Sequence, residues 1–590
     1  MRRLPAVLLI ALALPALAQA RPTAQAPTVP APSGLHAFLL RSDESQTTTF
    51  PRTPSFAWTP VSGAWRYEFQ LATSLTFGDG TIVWESSDAA KPLRVPAASV
   101  DVALPWITGK PYSLYARVRA VKLAPLPKVK AGAKPVPAAP TVPTTAPPAT
   151  APPATAPPAT APPVATPTGK EVFSPWSPHF GFNMGGQAPV NGTSPYPGLV
   201  RWDPVEGASG YEVWLFGAAK TFITSTNVAD QRDLWTFHRG PLYTSQVQWR
   251  VRPVRRLYGE IPSGLPAVSK GPWSVIFTSI NPPTGAAAVL WNRAAVSDVV
   301  TDGVSDPKPH QLTPGFAFGG DSGHPLGLSP AQAELFRVYV TTDERCVNVV
   351  FRGAVVGSPA YAPRQTGPLQ LPHTQLEIDA LRTGGVLDHG GEGLALMRDG
   401  TPAETNEWLT ETNKPNSKID LWDTAWPEGG YYWTVVPVAA QLRGTTIEYR
   451  DKELPQDACE SGRVMRFGKA SPPVLTAASD NPYASGLSPR GRLVAAAKDS
   501  PVFYGTPLVA WEPALGAGEY EVQWSVAAYP WRMVGSTTTP STSALLPLAP
   551  GTWYYRVRGL NPSLPKRPQM TWSQPVRVDV AKPKFAVVKK

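Results

Sequence analysis

Three groups of residues have the types and spacing to do chemistry. The first is Gly320-Asp321-Ser322-Gly323-His324-Pro325, which sets a serine between an acid and a glycine as a nucleophile would be set. Ser322 would need a general base held against it, and no matching His-bearing segment lies upstream. The stretch follows a core-strand pattern and reads as turn residues. The second group is Asp388-His389-Gly390-Gly391-Glu392-Gly393, with His373, Glu377 and Asp379 close by. Carboxylates and imidazoles together hold metals or move protons, but glycine-rich polar loops take this composition without binding anything. The third is the pair Cys346 and Cys459, the only cysteines of the chain. No further ligand neighbours them, so a disulfide in an oxidising compartment is expected. No phosphate loop, dinucleotide fingerprint, nucleophile elbow or His-Glu-x-x-His occurs. The expectation is a chain with no catalytic residue, no cofactor and no metal.

The elements that would position such residues are short strands. The chain has 71 Pro, 48 Gly and 20 Trp against 6 Met, and 16% of its residues are charged, which excludes a helical bundle or a typical cytosolic enzyme. The best helical period, Ser329–Val340, turns into strand alternation within a few residues. Elsewhere short alternating runs of Val, Tyr, Trp and Arg are punctuated by Pro and Gly, the pattern of β-sandwiches. At about 570 residues without a leader, three to five domains are expected.

A leader is written into residues 1–20. Arg2 and Arg3 precede an apolar run from Ala6 to Leu17, and Ala18-Gln19-Ala20 is a small-x-small cleavage site. The run is well short of the ~20 residues of a membrane span. The expectation is cleavage after Ala20 and a secreted product, free or held non-covalently at the cell wall, with no span in the mature form. The net charge of +11 drops by two when Arg2 and Arg3 leave. The remaining basic residues are scattered through strands, not gathered on an arm. That argues against nucleic acid as a partner and for weak attraction to anionic cell-wall polymers.

One pattern recurs. Phe56–Gln70, Val200–Trp214 and Val509–Gln523 each place a Trp nine residues before a Tyr, with a Pro/Gly turn between: Trp58 and Tyr67, Trp202 and Tyr211, Trp511 and Tyr520. A degenerate copy has Phe318 at the Trp position and Phe336 at the Tyr position. Each copy is followed by a further strand, at Tyr115, Gln248, Tyr432 and Tyr554. In three copies a Trp-Ser pair comes next, at Trp176, Trp273 and Trp572. The layout resembles the fibronectin type III family, a seven-stranded immunoglobulin-like sandwich with a Trp on its second strand. Leu548–Tyr554 resembles that family's tyrosine corner. The resemblance implies an all-β fold, a tandem array of about four such sandwiches. It also implies buried anchors at Trp58, Tyr67, Tyr115, Trp202, Tyr211, Trp511, Tyr520 and Tyr554, with Tyr554 bonding back to the backbone of the corner.

Spacing then parses the chain. The interval from the penultimate strand to Trp-Ser is 15 residues from Val557, 22 from Val251 and 58 from Val118. The longest interval contains Thr144–Thr168, where Ala-Pro-Pro-Ala-Thr repeats. The tract is therefore an expected loop insertion, 122–170, inside a first domain of 35–184. The competing reading makes it a linker after residue 121. Enlarging the loop adds only about 2 kcal/mol of closure entropy. The other domains are expected at 185–282, at 283–472 with an insertion at 369–418, and at 473–582, with a basic tail at 583–590. The implied function is an exported non-catalytic scaffold, spacer or adhesion module, its partner a cell-wall polymer, polysaccharide or surface protein. The alternatives are a carbohydrate-binding accessory protein and, less favoured, an enzyme with its site in the third domain's insertion.

Overall fold

The computed structural model describes residues 29–39, 47–86, 92–109, 111–124, 169–196, 198–216, 221–224, 226–231, 235–236, 240–241, 246–257, 261–279, 295–300, 314–319, 335–353, 358, 360–362, 429–438, 440–443, 446–449, 459, 464–469, 494–496, 501–503, 505–514, 517–560 and 572–581. The leader, the Ala-Pro-Pro-Ala-Thr tract, Gly320–Pro325, the 369–418 insertion with its Asp388 cluster, and the 583–590 tail lie outside the described residues.

Every regular element described is a β-strand, and the strands form a series of two-sheet sandwiches. The first unit contains β1 His36–Phe38, β2 Thr49–Phe50, β3 Ser55–Ala57, β4 Arg66–Ala72, β5 Ile82–Glu85, β6 Ala97–Ser99, β7 Leu114–Ala124, β8 Lys170–Phe173 and β9 Phe180–Met184. Its sheets are β1-β3-β6 and β2-β9-β7-β4-β5, with β8 also on β7. The second contains β10 Thr193–Tyr196, β11 Leu199–Arg201, β12 Gly210–Leu215, β13 Phe222–Thr224, β14 Val228–Asp230, β15 Trp235–Thr236, β16 Gly240–Pro241, β17 Val247–Arg256, β18 Val268–Lys270 and β19 Phe277–Ser279. Here β10-β11-β14 faces β13-β12-β17-β18, with β19 also on β17.

The third unit contains β20 Ala295–Val300, β21 Gly315–Gly319, β22 Leu335–Thr341, β23 Val349–Arg352, β24 Ala360–Tyr361, β25 Gly429–Val438, β26 Ala440–Arg443, β27 Thr446–Tyr449 and β28 Met465–Lys469. The fourth contains β29 Val494–Ala496, β30 Pro501–Phe503, β31 Leu508–Ala510, β32 Glu519–Ser525, β33 Met533–Thr539, β34 Ser543–Leu545, β35 Gly551–Leu560 and β36 Val576–Val580. Their larger sheets run β23-β22-β25-β28 and β29-β30-β36-β35-β32-β33.

The recurring Trp…Tyr spacing builds one local object. Pro60, Pro204 and Pro513 start a tight turn, closed by Ala64, Ala208 and Ala517 N–H groups donating to the carbonyls of Val61, Val205 and Ala514 at 3.0, 3.2 and 3.3 Å. Gly63 and Gly207 sit at φ 71° and 77°, the left-handed region a type II turn needs at its third position. The strand then turns inward, and the Tyr hydroxyl reaches back over the turn. Val61, Val205 and Ala514 N–H groups donate to the hydroxyls of Tyr67, Tyr211 and Tyr520 at 2.9, 2.7 and 3.1 Å. Each ring meets its Trp edge-on, at 5.3, 5.3 and 5.5 Å between centroids. Burial raises the hydroxyl pKa of Tyr67 and Tyr211, so they stay neutral.

Trp58, Trp202 and Trp511 are at most 1% exposed and anchor separate cores. Tyr115 is buried in a satellite cluster with Phe77, its hydroxyl donating to the Tyr112 carbonyl at 2.8 Å. The expected role of Tyr554 is corrected. Tyr554 is half-buried, while Tyr555 is 2% exposed and joins the fourth core. The bond back to the corner comes instead from Trp553, whose Nε1 donates to the Ala549 carbonyl at 2.8 Å.

Both flanks of the Pro-rich tract lie on one sheet. β7 ends at Ala124 opposite Lys170 of β8, and its other end pairs Leu114 with Phe182 of β9. Arg66 of β4 clamps the return strand through Nε and Nη2 on the two oxygens of Glu171, at 2.9 and 2.8 Å. Cleavage within Thr144–Thr168 is therefore expected to leave two fragments that co-elute under native conditions. Release of a free N-terminal fragment would make the tract a linker.

The units do not simply follow one another as a string. The smaller sheets are buried on both faces, one against their own core and one against another unit. In β3, Phe56 enters the first core while Ser55 and Ala57 point outward. That outer face meets β31 and β34 of the fourth unit, where Phe38, Ala57, Val95 and Ala97 pack on Leu508. Ser543 sits at the centre of this contact. Its hydroxyl bonds Ser55, Ser99 Oγ donates to its carbonyl at 2.8 Å, and Ser541 Oγ donates to the Thr53 carbonyl at 3.1 Å. The second and third units meet likewise, through Leu199 and Val228 against Ala317, Ala360 and Ala362. Ser543→Glu is expected to force the first and fourth units apart, because an unpaired carboxylate there costs more than a small Ser/Ala contact can offset. Small-angle scattering should give a larger radius of gyration with unchanged circular dichroism. An unchanged radius would show that this face does not hold the units together.

Candidate functional site

The larger sheets carry a repeated arrangement of arginine and tryptophan. In β4, β12 and β32 the residue after the core Tyr is Glu68, Glu212 or Glu521, and two positions on is Gln70, Trp214 or Gln523. Strand register sets these opposite Arg119 and Arg117, Arg252 and Arg250, Arg558 and Arg556. All point to the face away from the core. The Trp of the Trp-Ser pair then lies across both arginines. Trp176 has the guanidinium carbons of Arg117 and Arg119 at 4.3 and 4.6 Å from its ring centre. Trp273 has Arg250 and Arg252 both at 4.5 Å, and Trp572 has Arg556 and Arg558 at 4.3 and 4.4 Å. Each such contact stabilises by roughly 0.5–1 kcal/mol where half exposed.

The serine of the pair locks the indole in place. Ser177, Ser274 and Ser573 donate N–H to the carbonyls of Val118, Val251 and Val557, each at 2.8 Å. Their hydroxyls accept the N–H of the same three valines at 3.1, 3.1 and 2.9 Å. One serine thus replaces a rung of the ladder where the strand is interrupted, which fixes the preceding Trp over the arginines. The sequence read the Arg side chains as a solvated face and the Trp-Ser pair as a strand marker. The missed signal was the Arg-Val-Arg spacing before Trp-Ser in all three copies.

Charge on these faces is paired. Glu68 is bonded by Arg66 at 2.7 Å and Arg119 at 2.5 Å, and Glu212 by Arg252 at 2.5 Å and Lys270 at 3.1 Å. Glu521 meets Arg558 at 2.7 Å. In the second unit Arg250, Arg252 and Lys270 share the face with one described carboxylate, Glu212, whereas in the first Glu68, Glu85 and Glu171 match Arg66, Arg117 and Arg119. Burial, then the neighbouring Arg119, lowers the pKa of Arg117, and burial, then Arg558, lowers that of Arg556. In the third unit the positions opposite Arg337 and Tyr339 are Val436 and Thr434, so the arrangement is absent there.

The pairing predicts an acid response. Burial pushes the Glu212 pKa up, but hydrogen bonds from Arg252 and Lys270 outweigh it and hold the group below its ordinary 4.5. A lowered carboxylate contributes stability above its unfolded pKa and loses it as pH falls through the folded value. Urea midpoints at pH 7 and pH 3 are therefore expected to differ less in Glu212→Gln than in the parent. An equal difference would mean that this carboxylate is not the linked group.

A second polar site lies where three units meet. Arg52, 2% exposed, lies 3.4 Å from Glu206 of the second unit and donates Nη1 to the Ala517 carbonyl of the fourth at 3.2 Å. Arg255 donates to the carbonyls of Leu104 at 2.8 Å and Gly207 at 3.1 Å. Burial, then repulsion from Arg52, lowers its pKa to about 9. Its hydrogen bonds are to the chain itself, so the site is a structural joint.

The structure places the expected residues as follows. Trp58, Tyr67, Trp202, Tyr211, Trp511 and Tyr520 lie in cores and expose no ring face. Cys346 and Cys459 are bonded, with Cα atoms 5.9 Å apart. Among the described residues no three His, Cys, Asp or Glu side chains are grouped to hold a metal, and no helix is long and apolar enough to cross a membrane. Among the described residues the most exposed aromatic is Tyr529, 92% exposed, at the tip of the β32–β33 hairpin, with Val526 and Met533 also exposed.

No protein family and no curated protein matches the chain. Among solved structures, the FN1–FN3 domains of chicken CNTN1 align at 10% identity over 68% of this chain and 98% of theirs, with a TM-score of 0.13. A two-domain fibronectin type III segment of chicken tenascin aligns at 10% identity over 42% and 98%, at 0.17. A Ca2+-stabilized adhesin with which an Antarctic bacterium binds ice aligns at 9% identity over 93% and 100%, at 0.14. Scores this low carry no argument, and the all-β architecture rests on the strand pairing described above.

Proposed function

We propose that this chain is an exported, non-catalytic protein of the cell surface or cell wall, a β-sandwich scaffold that adheres to an anionic polymer. The observation that carries this is the arginine–tryptophan face present in three units. Its polar groups are engaged with one another, which leaves no side chain poised as nucleophile or base. Its guanidinium groups lie over half-exposed indole, and in the second unit Arg250, Arg252 and Lys270 outnumber Glu212, a surface suited to an extended polyanion. The net charge of +11, which stays strongly positive after the loss of Arg2 and Arg3, favours the same partner.

Incubation of the leader-free protein with insoluble bacterial cell wall tests the proposal. Retention at low salt that falls as ionic strength rises past about 0.15 M is expected. Absence of retention at every salt concentration rejects it. Carbohydrate binding by ring stacking is a second reading, favoured by Tyr529, whose ring stands 92% exposed. Salt-insensitive retention on a neutral glycan, lost in Tyr529→Ala, would establish that reading instead.

A further inference from the structure

We propose that β33 of the fourth unit is an assembly edge and that it pairs, antiparallel about Ser536, with β33 of a second copy of this chain. Among the described strands β33 has one neighbour, β32, and stands at the end of a six-stranded sheet. Its outer row of N–H and carbonyl groups is therefore open to another strand. The strand in the same place in the other units is short: β5 and β23 have four residues and β13 has three. β33 has seven, Met-Val-Gly-Ser-Thr-Thr-Thr, with no charged residue and no proline. Lysine, proline and brevity are among the devices that keep an edge from pairing, and β33 has none of them, its one register irregularity lying at its first residue, Met533. Met533 and Val534 are 55% and 40% exposed.

The sequence around the edge selects a second copy as the occupant. In an antiparallel pair about Ser536, Val534 lies beside Thr538 of the other copy, Gly535 beside Thr537, and Met533 beside Thr539. These are β-branched and apolar cross-strand neighbours of the kind that stabilise sheets. The flanking residues also fit. Arg532 comes to lie beside Pro540 of the other copy, so no arginine faces an arginine. Ser536 and Thr538 pair with Gln523 and Glu521 on β32, the residues that bond Arg556 and Arg558. The two arginine–tryptophan faces would therefore lie on the same side of one continuous sheet.

The experiment uses the whole leader-free chain. Sedimentation should show mass rising from one chain to two with concentration. In the parent both cysteines are bonded and no free thiol exists. Ser536→Cys should therefore give one interchain disulfide on mild oxidation, because directly opposed Cα atoms lie about 4.5–5.5 Å apart. Ser536→Lys, at an exposed position, should keep the parent's melting temperature and weaken the dimer about tenfold or more. Mixing it with Ser536→Glu should restore dimers. A monomer at all concentrations with no cross-link overturns the proposal. So does a dimer that Ser536→Lys leaves intact.

Discussion

Breaking the Cys346–Cys459 bond is expected to lower the stability of the third unit by about 5 kcal/mol, the loop-closure term for a bridge spanning 113 residues. Cys346 lies in the turn between β22 and β23, and Cys459 comes just before β28, so the bond ties the sheet edge to its last strand. Cys346 adopts φ 57°, a left-handed conformation that side chains disfavour by about 1 kcal/mol. Asp343 holds that turn by accepting the N–H groups of Val347 and Asn348 at 3.0 and 2.8 Å. Hydrogen exchange read by mass spectrometry should show faster exchange in β22, β25 and β28 of the double variant Cys346→Ser, Cys459→Ser. Peptides from the first and second units should be unaffected. Equal protection in β22 and β25 with and without the bond would show that the bridge adds no stability.

The second large effect belongs to the core tryptophans. Trp202→Ala should destabilise the second unit by about 3–5 kcal/mol, through lost burial and the cavity left behind. Trp202 is 1% exposed and packs on Tyr211 and Trp249, with ring centres 5.3 and 5.9 Å away. Its indole Nε1 is buried with no hydrogen-bond partner, as is Nε1 of Trp58 and Trp511. A buried unpaired donor carries a desolvation penalty of about 1–3 kcal/mol. Trp202→Phe removes that penalty while keeping most of the ring, so it should cost less than half as much as Trp202→Ala. Urea unfolding measures both. A Phe variant as unstable as the Ala variant would mean that the full indole shape, not apolar volume, holds this core.

Legibility in the sequence follows the range of each interaction. The Trp…Tyr motif is local: the turn hydrogen bond spans three residues and the Tyr hydroxyl bond six. Composition and spacing therefore suffice to recognise it. Tyr554 marks where that reasoning stops. Adjacent residues of a strand face opposite sides, and which side is core depends on register with another strand. The pairing of Val522 with Val557 and Gln523 with Arg556 turns Tyr555 inward and leaves Tyr554 half-buried on the opposite face. A count along the chain cannot see that parity. The arginine–tryptophan face was half legible, since its residues recur at fixed spacing. Their contact needs the Trp-Ser interruption to fold back onto β7, β17 or β35.

By itself the sequence determined that this chain forms short strands in repeated sandwiches, three of them with a Trp-anchored core, because alternation and turn chemistry are local properties. Only the tertiary structure decided which sandwich faces meet. The contact between the first and fourth units joins Ser55 to Ser543 and packs Ala57 and Ala97 against Leu508. Serine and alanine give no periodic apolar signal, and their partners lie more than 400 residues away. What brings them together is shape and hydrogen-bond complementarity between two finished sheets, which exists only after each has folded.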